Sequence, residues 1–177
     1  MERPRFIPYD TDTAYPYRQL PEFSHPLSPA ILSVSTGRYV VGNTEQDYVS
    51  EGFLACTGFI IKGEDSRSSI SLFHASPLPL VDLDDYDYEK LRPLAGGQVI
   101  ELKGSDSTPK SYILSSLKRR LGIEHVSTIS VNTRKPTDRS SQHYHVAFRP
   151  QPDEILIARV SHKDLLVFPG FTKNQTE

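Results

Sequence analysis

Thr57-Gly58-Phe59-Ile60-Ile61, then the polar Glu64-Asp65-Ser66-Arg67, then Ser69-Ile70-Ser71-Leu72-Phe73-His74 is the stretch on which the fold turns. Two runs rich in β-branched and aromatic residues flank a segment too short and too polar for a helix, so they read as neighbouring strands of a hairpin. Working outward toward the N-terminus, Ile31-Leu32-Ser33-Val34 and Arg38-Tyr39-Val40-Val41 are further short strand-forming runs. Toward the C-terminus, Gln98–Leu102, His125–Val131, Tyr144–Phe148 and Ile155–Val160 have the same character. One helix interrupts them. Thr108 is placed to cap it, Pro109 suits its first position and Gly122 can end it after Lys118-Arg119-Arg120, with Ile113, Leu114, Leu117 and Leu121 on one face. The three basic residues complement the C-terminal end of the helix dipole. Strands on both sides of a packed helix predict an α/β or α+β sandwich.

Composition bounds the rest. With 177 residues, one domain of ordinary size is expected, large enough to hold an active site rigid without metal or disulfide support. Residues 1 to 30 carry six prolines and predict a peripheral, irregular arm; residues 31 to 170 form the domain, and 171 to 177 a frayed tail. The tract Asp82-Leu83-Asp84-Asp85-Tyr86-Asp87-Tyr88-Glu89 reads as a solvated loop or weak helix start, with a recognition surface for a basic partner as the alternative. A net charge of −2 offers no basic field for nucleic acid. No apolar run approaches the roughly 20 residues of a membrane span, and Met1-Glu2-Arg3-Pro4-Arg5 leads into no signal-peptide core. A cytoplasmic site of action is expected, with export by a specialised route as the alternative.

Cys56 is the single cysteine, which excludes an internal disulfide. Alone, such a residue is commonly a small buried hydrophobe. His74 changes its meaning: if the two runs pair, the imidazole comes near the sulfur across adjacent strand ends. An imidazole beside a thiol stabilises the thiolate and activates it as a nucleophile. Backbone amides at the Cys56 turn, with Gly52 permitting an unusual conformation, are candidates for an oxyanion hole. His143-x-His145 and His125 do not complete a ligand set of metal-site type, so neither metal nor cofactor is expected.

The order and spacing of Ser50-x-Gly52-x-x-x-Cys56, followed by Leu72-Phe73-His74, resemble the CheD family of chemoreceptor glutamine deamidases. The likeness extends to its relatives, the protein N-terminal asparagine amidohydrolases and bacterial toxin deamidases. That family places Thr-x-Gly-x-x-x-Cys before a strand and a histidine at a strand end about seventeen residues on. Ser35-Thr36-Gly37-Arg38-Tyr39-Val40-Val41 is similar to the family's opening strand, and Gly96-Gly97 and the helix ending at Gly122 extend the likeness over residues 31 to 160. Ser50 stands for the threonine, Leu54-Ala55 for Gly-Ser and Phe73 for alanine, differences that bear on substrate more than on chemistry.

The resemblance implies a layered α/β/β/α sandwich with mixed sheets, and a protein substrate bearing a reactive Gln or Asn. It makes Cys56 the nucleophile, His74 the base and Ser50 the residue that orients His74. Without it, Ser50 is an ordinary turn or cap serine. The reaction implied is conversion of a carboxamide to a carboxylate plus ammonia through a thioester. The alternatives are an N-terminal Asn/Gln amidohydrolase, transglutamination where an amine replaces water, and an inactive protein-binding module on the same scaffold.

Overall fold

The computed structural model describes residues 5–9, 31–64, 69–77, 83–134, 143–151 and 153–160. Ten strands, β1 (Arg5–Tyr9), β2 (Ile31–Val34), β3 (Arg38–Gly42), β4 (Asp47–Phe53), β5 (Thr57–Lys62), β6 (Ile70–Ala75), β7 (Gln98–Gly104), β8 (His125–Val131), β9 (His143–Arg149) and β10 (Glu154–Val160), are joined by helices α1 (Asp85–Leu91) and α2 (Ser111–Leu121). The strands form two five-stranded mixed sheets, ordered β1-β10-β9-β4-β2 and β3-β6-β5-β7-β8. The class is α+β. The expected hairpin is present: β5 and β6 run antiparallel, with Gly58 opposite His74 and Phe59 opposite Phe73.

Strand periodicity divides the core in two. Ile60, Ile70, Leu72, Ile100 and Leu102 of the second sheet meet Tyr48, Phe53, Tyr144, Val146, Phe148 and Ile155 of the first in one buried cluster. The alternate residues Phe59, Ile61, Phe73, Ala75 and Val99 meet Tyr88 and Leu91 of α1 and Ile113, Leu117 and Leu121 of α2 in another. The described residues thus stack as sheet, sheet and helices; the second helical layer of a four-layered sandwich is not among them.

Several local readings differ. The helix α2 begins at Ser111 rather than at Pro109, with Lys110 as its N-cap residue and no side-chain cap. Thr108 is committed elsewhere, its N–H donating to the Ala55 carbonyl at 2.8 Å. The helix ends as expected at Gly122, whose φ of 63° is left-handed and suits glycine. Ile113, Leu117 and Leu121 are buried and Leu114 lies partly exposed beside them.

The acidic tract holds a true helix, because the Asp84 side chain accepts from the Asp87 N–H and the Asp87 side chain accepts from the Asp84 N–H, a reciprocal capping box. Carboxylates in its first turn also face the positive end of the helix dipole. Arg5–Tyr9, expected in an irregular arm, forms an edge strand parallel to β10. Pro8 is tolerated there because an edge strand has a side that donates to nothing. The remainder of that arm and the tail 171–177 lie outside the described residues. Among the described residues no helix is long and apolar enough to cross a membrane.

Candidate active site

Ser50 was readable as a turn residue; it lies inside β4, paired opposite Val146 of β9. Tyr48 and Ser50 point between the sheets. A regular strand would next send Gly52 inward, but the pairing shifts between Ser50 and Phe53, leaving Glu51 and Gly52 opposite one partner residue. Gly52 carries φ of 78°, the left-handed conformation that a bulge of this kind demands. The bulge resets the alternation, so that both Ser50 and Phe53 turn toward His74. The Gly52 N–H donates to His145 Nδ1 at 2.9 Å, which ties the bulge to β9.

His74 lies on β6 in the opposite sheet and is wholly buried. Its Nδ1 is 2.9 Å from Ser50 Oγ, so the contact bridges the two sheets. Ser50 Oγ is also 2.6 Å from the Val34 carbonyl oxygen. A carbonyl can only accept, so the serine proton goes to Val34 and Ser50 must accept from Nδ1–H. The tautomer follows: His74 holds its proton on Nδ1 and presents a lone pair at Nε2, which has no hydrogen-bond partner. Phe53 stacks on the imidazole at 3.7 Å between ring centroids and 10° between planes, and on Tyr144 at 5.0 Å. Burial in this aromatic stack disfavours the imidazolium, pulling the His74 pKa from 6.5 down to about 4. The ring is a neutral base at physiological pH.

Cys56 stands where the chain crosses from the first sheet to the second, between β4 and β5, and is 6% exposed. Burial pushes its thiol pKa up; a hydrogen bond with the Leu54 backbone and the positive charge of Lys110 oppose that rise. His74 is not among the causes of that shift. The influences favouring thiolate come from Leu54 and Lys110, and His74 Nε2 makes no hydrogen bond to the sulfur. The structure joins Ser50 to His74 and leaves Cys56 outside that bond.

The segment leading into α2 holds the cysteine turn in place. Ser107 Oγ donates to the Cys56 carbonyl at 2.6 Å, and Thr57 Oγ1 donates to the Thr108 carbonyl at 3.0 Å. Gly104 N–H donates to Ser107 Oγ at 2.8 Å, closing the loop on itself. Lys110 follows, 2% exposed, with Nζ donating to the Pro77 carbonyl at 3.2 Å. It is the residue near the site that the sequence reading passed over. The signal was there in Thr108-Pro109-Lys110, a lysine at the mouth of a helix, where a cation meets the unfavourable end of the dipole.

His145 projects to the outer face of the first sheet, opposite in phase to the inward Tyr144 and Val146, and burial lowers its pKa to about 4. Among the concavities of the described residues, two open on the helical side. The larger, of about 540 Å³, is bounded by Arg38, Tyr39, Phe73, Leu83, Asp87 and Lys90 and does not reach Ser50, Cys56 or His74. The smaller is bounded by Tyr88, Tyr112, Ser116, Arg119 and Arg120.

No family model matches the chain. No curated protein matches it significantly in sequence.

Proposed function

We propose that the chain is a cysteine-dependent amidohydrolase, a protein glutamine deamidase built on the layered α/β/β/α sandwich of the CheD-like hydrolases. The observation that carries this reading is the inter-sheet bond between Ser50 and His74 at 2.9 Å. It supplies what the third member of a triad supplies, a fixed ring and a fixed tautomer, with the Nε2 lone pair left to take a proton.

In the proposed reaction Cys56 Sγ attacks the carboxamide carbon as His74 Nε2 takes the thiol proton, once substrate docking brings the two into reach. Collapse of the tetrahedral intermediate breaks the C–N bond, and His74 returns the proton to the departing ammonia. Water, deprotonated by the same nitrogen, then splits the thioester, yielding a carboxylate and restoring the thiol. An amine in place of that water makes the reaction a transglutamination. A free terminal Asn or Gln preferred over an internal residue makes the enzyme an N-terminal amidohydrolase.

Two observations favour a second reading, a catalytically inactive binding module: the sealed His74 and the raised thiol pKa. The two are told apart by incubating the chain with N-blocked glutaminyl-glycine and with a glutamine-mimicking diazoketone. An amidohydrolase releases ammonia and is labelled on Cys56, and both signals vanish in Cys56→Ser and His74→Ala. Ammonia release undiminished in Cys56→Ser removes the cysteine mechanism; a folded wild-type chain inert to both probes favours the binding module. Mass spectrometry of proteins retained by a Cys56→Ala chain identifies the target.

A further inference from the structure

We propose that the groove across the helical layer, from the crevice between α1 and α2 past Leu83 to the wall of β3, is a docking surface for a protein partner. Its occupant is an acidic segment of that partner carrying an apolar side chain. Binding there is independent of any chemistry at Cys56.

Helical phase builds the α2 wall. Tyr112, Ser116, Arg119 and Arg120 stand at i, i+4, i+7 and i+8, so they project to one side of the helix, and all four line the smaller concavity with Leu83 and Tyr88. Tyr88 Oη donates to Ser116 Oγ at 2.6 Å, which leaves the serine its own proton to give. Arg120 lies over the Tyr88 ring at 4.1 Å. Its ion pair with Asp85, at 2.6 Å, joins exposed side chains, and a competing carboxylate replaces such a contact at little cost. Arg119 is exposed beside it.

The larger concavity continues the groove, because Leu83 lines both. There Tyr39 Oη donates to Asp87 Oδ1 at 2.7 Å and the Asp84 N–H to Asp87 Oδ2 at 3.0 Å, so both oxygens of that carboxylate are engaged. Lys90 on the same wall has Nζ 4.2 Å from the Tyr86 ring centroid, a contact that leaves its charge in place. The charged residues lining the two concavities are thus Arg38, Lys90, Arg119 and Arg120 against Asp87. On a chain of net charge −2 this is a local reversal of sign, which draws an acidic partner and repels a basic one. The two concavities, of about 320 Å³ and 540 Å³, adjoin at an apolar side chain. A peptide reaches both by laying a hydrophobic residue on Leu83 with carboxylates on either side; a free small acid fills one.

The test is an anisotropy titration of the full chain with rhodamine-labelled Gly-Glu-Glu-Leu-Glu-Glu-Gly, Gly-Lys-Lys-Leu-Lys-Lys-Gly and Gly-Glu-Glu-Ser-Glu-Glu-Gly. The acidic leucine peptide is expected to bind and the lysine peptide to stay free, with the serine peptide about tenfold weaker than the leucine one. Arg119→Glu is expected to raise the Kd of the leucine peptide about tenfold. Lys118→Glu makes the same charge change at an exposed neighbour on another face of α2 and is expected to leave that Kd unchanged. Equal losses in the two variants overturn the proposal, since net charge alone then explains binding. Equal binding of the acidic and lysine peptides overturns it too, as does displacement of the peptide by an equimolar amount of free glutarate, the mark of a small-acid site. Cys56→Ser is expected to bind the peptide as wild type does. A chain inert toward amides that still holds the peptide therefore sinks the amidohydrolase and leaves the docking surface standing.

Discussion

Strand β6 sends Ile70 and Leu72 into the space between the sheets and Phe73 and Ala75 toward the helices, and the two sides of that strand lie in different chemical worlds. On the helical side Phe59, Phe73, Leu91, Leu94 and Leu117 meet as hydrocarbon and aromatic surface. On the inter-sheet side the same strand adds His74, which reaches Ser50 across the gap and stacks on Phe53. The helical side has its hydrogen bonds in part-buried positions, Tyr39 Oη donating to Asp87 at 2.7 Å and Tyr88 Oη to Ser116 at 2.6 Å, whereas the inter-sheet side has a fully buried proton arrangement. Polar groups so deeply buried are tolerated because they are paired, and the pairing fixes which ring nitrogen is left over.

Four perturbations sharpen or break that contrast. The largest effect belongs to the hydrocarbon side. Phe59→Ala removes a ring that is fully buried and is expected to cost about 3–5 kcal/mol in urea unfolding. Alkylation of Cys56 by iodoacetamide in the remaining folded protein should keep its wild-type rate; a large change would mean the two sides are not separable.

Next comes pH. The buried His74 and His145 have folded pKa values of about 4, below the usual unfolded value near 6.5. As pH falls below about 6.5 the unfolded chain takes up protons that the folded one refuses, so stability present above that point is lost progressively toward pH 4. Each histidine contributes up to about 3 kcal/mol over that window. His74→Asn, which can still donate to Ser50, should roughly halve the histidine share of the slope in denaturation curves taken from pH 7 to pH 4. An unchanged slope would show that His74 titrates normally.

Ser50→Ala strands the buried Nδ1–H and the Val34 carbonyl together, and is expected to cost about 1–3 kcal/mol in thermal unfolding. Ammonia release should fall with it, the ring no longer being held in one tautomer. Stability lost with activity intact would reduce Ser50 to a structural bridge. The smallest effect is expected at Gly122→Ala, where a φ of 63° costs an L-residue about 1 kcal/mol. It should shift the melting temperature by a few degrees and leave the rate of Cys56 alkylation alone.

The composition of short runs made much of the fold legible. The runs at Ile31, Arg38, Thr57, Gln98, His125, Tyr144 and Ile155 all became strands, because enrichment in β-branched and aromatic residues is a local property that burial in a sheet rewards. Asp47–Phe53 escaped notice because its alternation is interrupted at Glu51-Gly52, and the bulge that explains the interruption exists only against β9. The start of α2 was misplaced for a related reason. Thr108 is a good cap in isolation, yet its N–H is taken by Ala55, a residue far away in sequence.

For the candidate site, chain order and spacing pointed to Cys56 and His74, and the family resemblance added Ser50. They carried no information on how the three would meet. Whether Ser50 faces His74 depends on two sheets stacking in register, and the ring's tautomer depends on a third group, the Val34 carbonyl. Lys110 becomes relevant to Cys56 only when the loop before α2 folds back on the cysteine turn. Sequence by itself determined the residue types available for chemistry and the strand that carries His74, since both follow from local pattern. The tertiary structure decided the proton positions and the electrostatic field at the thiol, since hydrogen bonds and desolvation are set by neighbours that are distant in sequence and adjacent in space.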